Sequence, residues 1–93
     1  MYFNKQDKQI SFDEWREKNN DHKYKNVAQD RLGKHIVSTT WTGLNINTKS
    51  KKNFIFDTSV YCQKLETIIE SIQCKSLKDS LEKHHLMVKK YKE

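Results

Sequence analysis

The chain contains no proline and only two glycines and two cysteines in 93 residues. Disordered tails and linkers are usually rich in Pro and Gly, so this composition argues for an ordered chain. Cys62 and Cys74, with no secretion signal, do not make a disulfide framework. There is no second pair to build a Cys-rich zinc site, and no metal or cofactor is expected. They read as two half-buried reduced thiols. No apolar run approaches the roughly 18 residues of a membrane span, and no signal-peptide pattern is present. No membrane partner is expected, and the protein should stay in the cytoplasm where it is made. A Gly-rich phosphate loop, a paired-cysteine metal motif and G-x-S-x-G are all missing, so enzyme chemistry has little motif support.

What is present bounds the fold. Hydrophobic residues are 34% of the chain and charged residues 32%. One domain with a thin core follows, leaning on two Trp, four Tyr and four Phe, because each large ring buries about 150–250 Å². Net charge is +6. Residues 1–30 are neutral, with six acidic and six basic groups; residues 31–93 hold the excess, with twelve basic against six acidic. A basic surface favours anionic partners, whether nucleic acid or an acidic protein face, and also keeps a small protein soluble.

Residues 1–10, with Tyr2 and Phe3, read as a loosely attached lead-in to a single domain over 11–93. Ser11 and Glu14 form a capping box, and Phe12 and Trp15 share a face, so a short helix should run to Asn19-Asn20. Tyr24–Asp30 is a weak strand, followed by a turn at Gly33. His35–Leu44 is the clearest strand. Alternation places Val37, Thr39 and Trp41 on the core face and Ile36, Ser38, Thr40 and Thr42 on the other. Asn45–Asn53 reads as an exposed hairpin loop carrying Lys49, Lys51 and Lys52. Phe54–Tyr61 is a strand with Phe54, Phe56 and Val60 on one face. Glu66–Cys74 is a further strand whose facing the pattern leaves open. Ser76 caps a helix to Tyr91, with Leu77, Leu81, His84, Val88 and Tyr91 as its core stripe. The order α-β-β-β-β-α predicts an α+β fold: a four-stranded antiparallel meander with an N-terminal and a C-terminal helix on one face.

Three segments carry a resemblance: Val37-Ser38-Thr39-Thr40-Trp41-Thr42-Gly43-Leu44, Phe56-Asp57-Thr58-Ser59-Val60-Tyr61, and Ser76 through Val88 with His84. In order and spacing, with Trp15 in the first helix, the chain resembles a group of small uncharacterised proteins of bacteriophages and other mobile elements. That group's patterns read V-S-T-x-W-x-G-L-D-H, F-E-T-x-V-F and T-x-x-E-A-x-x-G-H-x-x-x-V. This chain departs from them at Asn45-Ile46, at Asp57 and at Lys83. Two positions of a conceivable carboxylate–histidine site are thereby changed or missing, and no such site carries over. The resemblance implies a phage accessory setting without supplying a reaction.

His84 is the histidine of most interest. It is either a base or ligand beside Asp57 or Thr58, or a core-edge histidine bonded to backbone. Adjacent His84 and His85 point apart on a helix and make a poor chelating pair. Either cysteine could meet His84 as a nucleophile pair, though no motif demands it. Trp41, Phe54, Phe56 and Tyr61 either stack bases or build the core. The expectation is a non-catalytic phage accessory protein, in its concrete form an anti-CRISPR-type inhibitor of a bacterial defence complex. The partner would be a bacterial host protein or ribonucleoprotein complex, met through Ile36, Ser38, Thr40, Thr42 and the Lys49/Lys51/Lys52 tip. The rivals are a nucleic-acid-binding accessory protein and a small enzyme acting through His84. A homodimer is left open.

Overall fold

The structure is a computed structural model that describes residues 1–44 and 54–92. Its elements run β1 (Tyr2–Phe3), β2 (Gln9–Ile10), α1 (Phe12–Asn19), α2 (His22–Lys25), β3 (Asn26–Leu32), β4 (His35–Trp41), β5 (Phe56–Cys62), β6 (Thr67–Cys74) and α3 (Leu77–Tyr91). β3–β4–β5–β6 form an antiparallel meander in sequence order, and β1 and β2 pair separately. The α+β architecture is therefore as the element order predicts. Among the described residues, no helix is long and apolar enough to cross a membrane.

The alternation of β4 is reproduced. Val37, Thr39 and Trp41 are fully buried, while Ile36, Ser38 and Thr40 are half-buried on the outward face. β5 follows the same rule, but its inward residues are Phe56, Thr58, Val60 and Cys62, with Phe54 before the strand. In β6 a register shift between Val60 and Tyr61 sets Glu70 opposite Val60 and Ile68 opposite Tyr61. The inserted residue flips the strand's facing. Ile72 and Cys74 turn toward the core, and Ile68 turns out.

Residues 1–10 are not a loose lead-in. β1 and β2 form a hairpin, and Phe3 joins a core cluster with Trp41, Ile55, Phe56 and Cys74. The indole N–H of Trp41 donates to the Phe3 carbonyl at 3.0 Å, and the Phe3 N–H donates to Gly43 at 2.9 Å. An aromatic at position 3 has a socket only because the end of β4 supplies one.

Ser11 caps α1 by accepting from Glu14 N–H at 3.2 Å. Phe12, Trp15 and Tyr2 gather their rings within 5.9 Å of one another. The weak strand at Tyr24–Asp30 is corrected at its start. Asp21 accepts from Lys23 and Tyr24 N–H, making one helical turn, and the strand begins at Asn26. Tyr24 packs edge-on against Trp41 at 4.9 Å.

α3 lies across the inward face of the sheet, touching β3, β4, β5 and β6. Its cap is as expected, with Asp79 N–H donating to Ser76 Oγ at 3.0 Å. Its core stripe is rotated. Ser80, His84 and Met87 are buried, whereas Leu77 and Leu81 remain 39% and 43% exposed. The sheet beneath offers hydroxyls from Thr39 and Thr58, so the helix turns His84 and the Ser80 carbonyl onto them, while the Ser80 hydroxyl donates to the Leu77 carbonyl within the helix. Apolar periodicity alone mis-assigns such a face.

Candidate functional site

The polar chain under α3 is the first place where chemistry gathers. His84 Nε2 donates to Asp30 Oδ2 at 2.7 Å, and His84 Nδ1 lies 2.8 Å from Thr39 Oγ1. Thr39 Oγ1 lies 2.8 Å from Thr58 Oγ1, which donates to the Ser80 carbonyl at 3.3 Å. Thr58 Oγ1 also lies 4.0 Å from Cys74 Sγ.

The order carboxylate, imidazole, hydroxyl superficially matches a nucleophile activated by an oriented base. Exposure decides against that use. Thr39 and Thr58 have no accessible surface, and the His84 side chain is 7% exposed. Only Asp30, at 54%, meets solvent. A reacting carbonyl or phosphoryl group has no approach to either hydroxyl. The arrangement satisfies buried polar groups and fixes the register of α3 on the sheet.

This corrects the sequence reading of His84. Its partners are side chains, not backbone, and Asp57 is not among them. Asp57 pairs with Thr40 on the outward face, where burial pushes its carboxyl up from the ordinary value. The missed residue is Asp30. Its signal was a carboxylate within a strand, a position disfavoured unless a partner meets it. Cys62 and Cys74 are free and buried. Burial pushes the Cys74 thiol up, away from the thiolate a nucleophile needs. His85 stands exposed on the far side of α3.

The second place is the outward sheet face. Ile36, Ser38 and Thr40 line it from β4, Gln29 and Arg31 from β3, and Asp57, Ser59 and Tyr61 from β5. Thr42 does not join them as a free group. Its hydroxyl donates to the Ile55 carbonyl at 3.0 Å, and its carbonyl accepts from Trp15 Nε1 at 2.9 Å. Lys49, Lys51 and Lys52 lie outside the described residues. Of the aromatics weighed for base stacking, Trp41 and Phe56 are sealed in the core. Phe54 is half-buried beneath Lys75, and Tyr61 is 37% exposed.

At one end of this face α2 overhangs the sheet. His22, Lys25, Asn26, Gln29, Ser38 and Thr40 line an open recess of about 310 Å³. Compared with known proteins, the chain matches no family model, no curated protein and no solved structure.

Proposed function

We propose that the protein is a non-catalytic accessory binding protein of the bacteriophage or mobile-element kind, acting in the bacterial host cytoplasm. It docks its outward sheet face on a host protein or ribonucleoprotein complex, and an anti-CRISPR-type inhibitor of a defence complex is the concrete form. One observation carries the reading: among the described residues, α3 covers one face of the meander, while the hydroxyl- and amide-bearing face of β3, β4 and β5 carries only the single turn of α2 at one end. A row of Ser, Thr and Gln is an adaptable hydrogen-bonding surface, and net charge of +6 steers it toward acidic partners. The motif resemblance supplies the mobile-element setting by analogy.

The burial of both threonine hydroxyls argues against the enzyme reading through His84. The burial of Trp41 and Phe56 removes two stacking platforms from the nucleic-acid reading and leaves that reading its basic charge. A tagged pull-down from host cells, with and without nuclease, separates the two. A host protein complex retained after nuclease is the expected result. Recovery of nucleic acid alone, lost on digestion, would replace docking on protein with docking on nucleic acid, whose affinity should fall steeply with salt.

A further inference from the structure

The recess beneath α2 is built by three local decisions. Tyr24 goes to the core against Trp41, which turns His22 and Lys25 to the opposite side of the single helical turn. The chain then enters β3 without a loop, and a register shift between Asn26 and Ala28 disturbs the ladder there. Ser38 and Thr40 form the floor from the outward face of β4, and Gln29 stands opposite Ser38. Each of the six lining side chains can donate a hydrogen bond, and none is a carboxylate. Among the described residues, none of the six side chains has a hydrogen-bond or ion-pair partner. Together they set six uncommitted donors around one concavity.

We propose that this recess is the anion seat of the docking face and takes a carboxylate side chain, Asp or Glu, from an acidic partner protein. The proposal rests on the reading of that face as a protein-docking surface. The charge count selects a carboxylate. Among the described residues, Lys25 is the one ammonium lining the recess, and the remaining donors are amides, hydroxyls and an imidazole. A carboxylate brings one negative charge and about four lone-pair sites, which one ammonium and several neutral donors match. A phosphate group would bring up to about two charges, more than one ammonium balances. Asp57 stands beside Thr40 on the neighbouring strand. That adjacent carboxylate penalises a dianion more than a monoanion.

Titration of the 15N-labelled full chain with the blocked peptide acetyl-Gly-Glu-Gly-Glu-Gly-amide tests this. The expected result is a saturable shift of the amides of residues 22–29 and 38–40, absent with the Gln counterpart of the peptide. Lys25→Glu should weaken the peptide by roughly tenfold or more, the loss of about 1.4 kcal/mol. Lys23→Glu makes the same change in net charge outside the recess and should stay within about twofold. Thr40→Val, a small change that keeps the strand, should weaken binding several-fold and guards against a misfolded Lys25 variant. Equal losses in the Lys23 and Lys25 variants would reduce the effect to diffuse charge and overturn the seat. Inorganic phosphate shifting the same amides at a tenfold lower concentration would overturn the carboxylate assignment. The two readings fail separately. If the wild type and the Lys25→Glu variant capture the same host complex equally, the seat is wrong and docking stands. If the peptide binds as expected and no nuclease-resistant protein partner is captured, docking is wrong and the carboxylate site stands.

Discussion

His84 and Asp30, 54 positions apart in the chain, meet at 2.7 Å where α3 crosses β3. The imidazole is buried and the carboxylate reaches solvent at the sheet edge. The contact ties the helix to the strand of the meander farthest from it in sequence, and it continues through Thr39 and Thr58 into the sheet centre.

Breaking that chain should cost stability and spare binding. His84→Gln keeps at most part of the pair of bonds to Asp30 and Thr39, and Thr39→Val leaves His84 Nδ1 without its partner. Each should destabilise by about 1–3 kcal/mol, the cost of an unsatisfied buried polar group. Denaturant melts of the two single variants and the double variant should show non-additivity. Complete loss of activity in a folded His84→Gln protein that melts normally would contradict the non-catalytic reading.

Trp41→Ala should destabilise by about 3–5 kcal/mol, the usual cost of removing a buried large aromatic. The variant also frees the Phe3 carbonyl and loosens the N-terminal hairpin. A domain with marginal stability could unfold outright. Thermal melts and backbone amide exchange at residues 2–10 check this. A water-like Trp41 emission with normal melting would place the indole at the surface.

Gly43→Ala should be among the most damaging single changes. Gly43 has φ +68°, and an added Cβ would collide with Trp41 Cζ2 and lie 2.7 Å from Trp15 Cδ1. Left-handed backbone strain and overpacking together cost about 2–5 kcal/mol. The two rings belong to different elements and cannot both yield. A wild-type melting temperature in this variant would show that the contact between Trp15 and the end of β4 is loose.

Two carboxylates should respond to pH in opposite senses. Burial raises the Asp57 carboxyl above its ordinary 3.8, so its ionised form opposes folding at neutral pH and the penalty vanishes in acid. Asp57→Asn should therefore stabilise at pH 7 and match wild type near pH 3. Glu70 is held below its ordinary value by hydrogen bonds from Lys90 and Tyr91. Its contribution is present above the unfolded value and is lost as pH falls through the folded one. Glu70→Gln should destabilise at pH 7, with the difference fading in acid. Urea midpoints at the two pH values check both signs.

Reversing Lys49, Lys51 and Lys52 to Glu should leave folding almost unchanged, within about 0.5 kcal/mol for each site. Partner association should slow, and the deficit should shrink as salt rises. Unchanged affinity at low salt would reduce the segment to a solvated connection.

The sequence by itself determined what depends on near neighbours. Ser11 and Ser76 announce their helices because a cap is a contact three residues long. β4 announces its inward face because Val37, Thr39 and Trp41 alternate with period two. The count and order of the four main strands follow from such signals. Tertiary structure decided what depends on distant partners. Phe3 became core because Trp41 and Gly43 offered a carbonyl-and-ring socket 38 residues away. α3 turned from Leu77 and Leu81 toward His84 and the Ser80 carbonyl because Thr39 and Thr58 had hydroxyls to satisfy. Asp30 found its role only when β3 came to lie beside β4 beneath His84. The recess likewise exists only because Tyr24 took its place against Trp41. In each case the local pattern was compatible with more than one facing, and contacts between residues distant in the chain selected among them, ring packing for Phe3 and Tyr24 and buried polar pairing for Asp30 and His84.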